Sequence, residues 1–367
     1  MAGAEPARTG HPGPGRWGLV AALLLAAIVA GLGCYGLGSG GKFYFKVVQA
    51  PLQAAAHAPY YRDSILHVGL AHCLGLGSSL LGFRVFVLGW YWAGLARTLA
   101  AAAARLSAAD TALVALVLVL HPSAMIVHTW TCHPDALTYC LTALLMFARG
   151  PGWTAVIAGL GAWNHLAMWL VICGQTALLW FAFSGSRART RAAALLVGLA
   201  VGAASCKLLL GLAGVHIAAD RFALAAGQEW RVLAGYWSGP GPAVVYSLHF
   251  AHLLWLPALL LRLRARGERR GALALAAAQL LALAAAFFAQ DTTRVFALLG
   301  WGSLAYGLVH ALAASAREGP RGRAGSHLRW LVGVAAVVTL LAPKFFAWKG
   351  ELHAVDGARA HLRALLF

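Results

Sequence analysis

Gln290-Asp291-Thr292-Thr293-Arg294 stands between two apolar runs, Ala272–Ala289 and Val295–Ala314. Each run is long enough to cross a hydrocarbon core of roughly 30 Å as a helix. The pentad therefore sets a carboxylate and a guanidinium at the junction of two membrane helices. Ionisable side chains at or near membrane depth are costly and tend to face a cavity or a partner. The competing reading is a tight interfacial turn in which Asp291 and Arg294 are simply hydrated. Working outward from this junction, nearly every other polar cluster falls on the same side of the membrane.

The composition fits that reading. The 367 residues are 61% hydrophobic and 11% charged, the signature of a polytopic membrane protein. A net charge of +18 would suggest nucleic acid in a soluble chain. Here the arginines form short tracts between apolar runs, which marks cytoplasmic loops and contact with membrane lipids and excludes a nucleic-acid partner. The six cysteines occur singly, so neither a disulfide framework nor a structural zinc site is indicated. Abundant Ala, Gly and Arg with little Lys suggests a GC-rich bacterial genome and hence the bacterial inner (cytoplasmic) membrane.

The expected fold is all-α, a polytopic transmembrane helix bundle of about eleven spans with interfacial helices in the first outer loop. Residues 1–16 read as a disordered cytoplasmic tail and 17–348 as a single transmembrane domain. Outer loops are expected at 38–80 and 213–242, and an outer C-terminal tail at 349–367. Ser107-Ala108-Ala109-Asp110 resembles a capping box opening the third span. That span ends at His121-Pro122 or continues kinked beyond it. Pro134 and Asp135 open the fourth. Trp153–Phe183 has cytoplasmic features at both ends, because Arg187, Arg189 and Arg191 follow it. It is therefore expected to be two short spans meeting at an outer tip near Trp163-Asn164-His165. The last span is expected over Trp330–Trp348.

This topology collects Asp63, His67, His133, Asp135, Asn164, His165, His249, His252, Asp291, Arg294 and Lys344 on the outer face. Asp63 and His67 share a face if both are helical, and would serve as a base with its partner or as two metal ligands. Asp135 sits where a helix dipole favours an anion. His67, His249 and His252 are the candidate ligands for a divalent metal, against the plainer reading of bundle histidines. Arg294 offers a planar fork that matches phosphate oxygens. Its plainer role is an ion pair with Asp291. His133, Asn164, His165 and Lys344 complete the candidate substrate-binding set, with Asp63, Asp135 and Asp291 as candidate catalytic carboxylates.

The arrangement resembles the GT-C class of polytopic glycosyltransferases. The resemblance rests on the cytoplasmic N-terminus, the long first outer loop with Tyr60-Tyr61-Arg62-Asp63, and the later carboxylates and basic residues of the outer face. It implies sugar transfer from a polyprenyl-phosphate carrier to a glycan, lipid or protein acceptor at the outer leaflet, with Asp63 as base on the acceptor hydroxyl. Asp63 stands alone where many members carry an acidic pair, and no soluble outer domain follows the last span. A polysaccharide polymerase or ligase shares the outer-face logic. A lipid or solute transporter would instead use Arg84, Arg97 and Lys207 within its spans.

Overall fold

The computed structural model describes residues 16–32, 42–57, 64–130, 132–183, 185, 187–215, 259–260, 263, 268–287, 292–316, 323–341, 344–348 and 351–355. The chain is a helical membrane protein. Its elements are α1 (Arg16–Leu32), the short helices α2 (Lys42–Gln49), α3 (Pro51–His57) and α4 (Ile65–Cys73), then α5 (Leu80–Ala103), α6 (Ala108–Leu120), α7 (Pro122–Thr129), α8 (Asp135–Met146) and α9 (Pro151–Phe183). There follow α10 (Arg187–Leu212), α11 (Arg269–Phe287), α12 (Thr292–Ala316), α13 (Arg323–Leu341) and the strands β1 (Lys344–Trp348) and β2 (Glu351–Val355).

Among the described residues five helices are long and apolar enough to cross a membrane, or six if the pair α6 and α7, bent by 54°, is one span. The expected eleven spans are thus not reached. Part of the reason is length: α8, expected as a full span, has 12 residues. Most of the expected eighth span, 243–261, lies outside the described residues. The last helix is displaced toward the N-terminus of the expected span: it runs Arg323–Leu341, 19 residues, and ends before β1 and β2, which pair as an antiparallel hairpin with Trp348 opposite Glu351. Pro343 cannot donate to a helical ladder, and the aromatic run of β1 suits a strand. Of the helices of the first long loop, α4 buries His67 and Val68 fully against the bundle while His72 and Cys73 at its end are exposed.

Two helices form the centre. In α12, 94% of the apolar window is buried, and α8 is buried along nearly its whole length. A helix that is apolar all round belongs inside. Small residues let their neighbours approach: a Cβ on Gly94 of α5 would lie 2.8 Å from the Cys140 Cα, and one on Gly302 of α12 would lie 2.4 Å from the Thr142 methyl. The outer helices instead expose leucines and valines, such as Leu196, Val197, Val201 and Leu208 on α10, as lipid-facing surfaces do.

The course of α9 decides where its polar residues go. His165 leaves helical space, with φ −165° and ψ 69°. The Trp169 indole donates to the Ala158 carbonyl at 2.8 Å. Eleven residues of straight helix would separate these positions by about 16 Å, so the chain folds back at His165. Packing against α10 agrees. Gly159 meets Gly202, and the Trp163 indole donates to the Ser205 hydroxyl at 3.0 Å. Ala155 meets Gly198 one turn earlier, so the first half of α9 runs parallel to α10. Arg191 at the start of α10 donates to the Arg149 carbonyl at 3.5 Å, just before α9 begins. Both ends of α9 therefore lie at one end of the bundle, and Asn164 and His165 form the tip at the other. This is the two-segment reading expected from the arginine tract.

At the opposite end from that tip, the Ser107 hydroxyl caps α6 by accepting from the Asp110 amide at 3.2 Å. Asp110 also takes a bidentate ion pair from Arg329 of α13, at 2.6 and 2.8 Å. The capping role of this segment was legible in the sequence. The pairing across the fold was not.

Candidate active site

Helices α8 and α12 run parallel, as the sequential contacts Asp135 with Arg294, Tyr139 with Trp301 and Phe147 with Tyr306 show. Their N-termini therefore lie side by side. Asp135 is the first residue of α8 and Arg294 sits in the first turn of α12. The Arg294 Nε donates to Asp135 Oδ2 at 2.5 Å and Nη2 donates to Oδ1 at 3.2 Å, with the two side chains 6% and 1% exposed. One edge of the guanidinium is thus held by both carboxylate oxygens. A helix N-terminus carries about half a positive charge. The two helix ends and the guanidinium set positive potential around the Asp135 carboxylate.

The tip of α9 closes one side. The Asn164 amide donates to the Pro134 carbonyl at 3.1 Å and to the Thr138 hydroxyl at 2.9 Å, tying the tip to the first turn of α8. His133 is buried against Trp130 and Tyr44, with ring centroids at 5.0 and 4.8 Å. Burial, and then the Arg294 guanidinium, His165 and His67 around it, hold His133 well below the ordinary imidazole range. It is a neutral ring.

Several buried polar atoms at this end have no hydrogen-bond partner: both ring nitrogens of His133, the Tyr139 hydroxyl and the Asn164 Oδ1. Tyr139 lies within electrostatic reach of both Asp135 and Arg294. Buried polar groups are nearly always satisfied, so a cluster of orphans marks a place for water or ligand. Sequence reading missed Tyr139. The available signal was its spacing, one helical turn beyond Asp135 on the same face.

His67 packs between Phe83 and Phe86, at 5.5 and 5.8 Å, and faces the Cys132 backbone without meeting hydrogen-bond geometry. Among the described residues no group of three or more His, Cys, Asp or Glu side chains is placed to hold a metal ion. Asp63, Asp291, His249 and His252 lie outside the described residues. Lys344 opens β1, which packs against α12, but its side chain lies outside them as well.

Burial lowers the His67 pKa from 6.5 to about 3. The unfolded chain takes up this proton as pH falls below 6.5, whereas the folded chain holds out until about 3. The stability from keeping His67 neutral is therefore complete above 6.5 and is lost as pH falls toward 3. The slope is about 1.4 kcal/mol per pH unit for one such group. Denaturant unfolding at neutral and mildly acidic pH should show this loss, and His67→Phe should flatten it.

The chain matches no family model, no curated protein and no solved structure.

Proposed function

We propose that the chain is an integral membrane glycosyltransferase of the GT-C kind, which moves a sugar from a polyprenyl-phosphate carrier to an acceptor glycan, lipid or protein. The observation that carries this reading is the buried Asp135–Arg294 pair at two adjoining helix N-termini, ringed by unpartnered His133, Tyr139 and Asn164 atoms. Sugar transfer from a phosphate carrier builds negative charge on the leaving phosphate. A fixed cation there stabilises the transition state more than the ground state. Arg294 supplies that cation, and Asp135, with both oxygens engaged, holds its rotamer. The neutral imidazole of His133, the Tyr139 hydroxyl and the Asn164 carbonyl are suited to sugar or phosphate oxygens. The resemblance assigns the base to Asp63.

In this reading the end carrying the α9 tip faces outward across the bacterial cytoplasmic membrane, and the arginine tracts face the cytoplasm. The short helices of the first loop border the outer leaflet. Lys207 lies on the exposed face of α10, and Arg97 donates to the Phe147 carbonyl near the other end of the bundle.

The direct test is turnover by the purified chain in proteoliposomes with a polyprenyl-phosphate sugar, read as released polyprenyl phosphate. Mass spectrometry of the copurified lipid fraction identifies the carrier. An absence of both release and copurified carrier would sink the proposal. Arg294→Lys keeps the charge and loses the fork, and should lower turnover by about two orders of magnitude while leaving the fold intact. Tyr139→Phe separates ligand from core. A buried unsatisfied hydroxyl costs about 1–3 kcal/mol, so its removal should raise the melting temperature of the empty protein while weakening donor binding. Unchanged donor affinity would remove Tyr139 from the site.

A further inference from the structure

A second cluster of charge lies at the opposite end of the bundle, around the C-terminus of α8. Arg97 of α5 donates to the Phe147 carbonyl at 2.5 Å, and Arg191 of α10 donates to the Arg149 carbonyl at 3.5 Å. Arg105 contacts the His310 Nε2 at 3.4 Å. Arg97 lies within electrostatic reach of both Arg149 and Arg105. Among the described residues none of these four arginines forms an ion pair with a carboxylate: Asp110 at the same end is committed to Arg329, and Glu268 at the head of α11 is not paired with them. The carbonyls they cap answer little of this charge, since a helix C-terminus offers about half a negative charge against four positive ones.

Depth makes the cluster costly. Arg97 precedes the end of α5 at Ala103 by about 9 Å along the helix axis. Arg97 and Arg191 are partly covered while Arg105 and Arg149 are exposed, and a guanidinium set back from the helix end calls for a counter-anion. The walls are aromatic: Arg191 lies over the Trp180 ring at 5.6 Å, and His310 stacks on Phe183 and Tyr306 at 4.8 and 4.4 Å. Trp153 and Trp330 are exposed at this same end, where indoles mark the headgroup level of a bilayer.

We propose that Arg97, Arg105, Arg149 and Arg191 form a binding site for a phosphate ester, separate from the candidate active site and placed around the C-terminus of α8. Guanidinium forks match phosphate oxygens, and the exposed apolar faces of α9 and α10 beside it suit acyl chains. The site needs no sugar chemistry and stands apart from the glycosyltransferase reading.

The test uses the full chain in neutral detergent. Thermal unfolding is followed while short-chain phosphatidylglycerol is titrated, with phosphatidylcholine as the neutral lipid and inorganic pyrophosphate as the soluble phosphate. Saturable stabilisation by phosphatidylglycerol assigns the site to an anionic lipid, and stabilisation by pyrophosphate alone assigns it to a soluble phosphate compound. Each arginine near an anionic surface contributes about fivefold in affinity, so Arg97→Gln with Arg149→Gln should weaken binding about 25-fold. Should that pair fail to fold, Arg105→Gln alone should weaken binding about fivefold. Arg189→Gln with Arg269→Gln, exposed at the same end but outside the cluster, should change it little. An equal loss in this control pair, or no preference for either phosphate probe over phosphatidylcholine, overturns the proposal.

Discussion

Asp135→Ala is expected to destabilise the protein by about 3–5 kcal/mol, because it removes the buried carboxylate that takes two hydrogen bonds from the Arg294 guanidinium. The pair is 1% and 6% exposed, so water cannot take over the lost partner without opening the bundle. The exchange Asp135→Leu with Arg294→Met is the informative companion. Replacing a buried ion pair by apolar side chains of similar size is often neutral or stabilising. The double variant should therefore regain the unfolding temperature and remain inactive in sugar transfer. This outcome would show that the charges are kept for function rather than for the fold. Thermal unfolding in detergent and turnover in proteoliposomes read the two effects separately. A single Asp135→Ala variant with unchanged stability would mean that the pair is hydrated, and the closed site would lose its basis.

That pairing also shows where sequence reading stops. The pentad at 290–294 correctly drew attention to Arg294, since a guanidinium at the head of an apolar run needs a reason. Its partner was sought three residues away at Asp291, where helical spacing is visible in the sequence. A carboxylate that holds it is Asp135, on another helix, and no periodicity reports which two helix ends adjoin; Asp291 itself lies outside the described residues. The same holds for Asp110, whose cap was legible and whose bond to Arg329 was not. The fold-back at His165 was legible for a different reason. Taking the arginine tract after it as cytoplasmic requires both ends to lie at one end of the bundle, and that expectation depends on charge placement along the chain rather than on packing. The hairpin after Leu341 was missed because its aromatic residues count as membrane-compatible in any hydropathy reading.

The glycine contacts that fix the fold-back are expected to be nearly as sensitive as the ion pair. Gly198 and Gly202 lie one turn apart on α10, opposite Ala155 and Gly159 of α9. A Cβ on Gly202 would sit 2.4 Å from the Gly159 carbonyl oxygen, and one on Gly198 would sit 2.1 Å from the Ala155 carbonyl oxygen. Both obstacles are backbone, so no rotamer change relieves them and the helices must separate. In a bilayer such association rests on close packing, because lipid tails match the apolar character of the helices. Overpacking a well-filled contact costs about 1–3 kcal/mol. The two sites share one interface, so Gly198→Ala with Gly202→Ala should cost several kcal/mol, about twice the single-site figure. Gly211→Ala, on the same helix with open space around its Cβ position, is the control and should be silent or slightly stabilising. The consequence reaches the site. Separation of α9 from α10 would shift the tip that anchors Asn164 to Pro134 and Thr138, so turnover should fall even where the variant still folds. Unfolding temperatures and turnover for the double variant and the Gly211 control decide it. A double variant as stable as the parent chain would contradict the parallel contact between α9 and α10, and with it the placement of His165 beside His133.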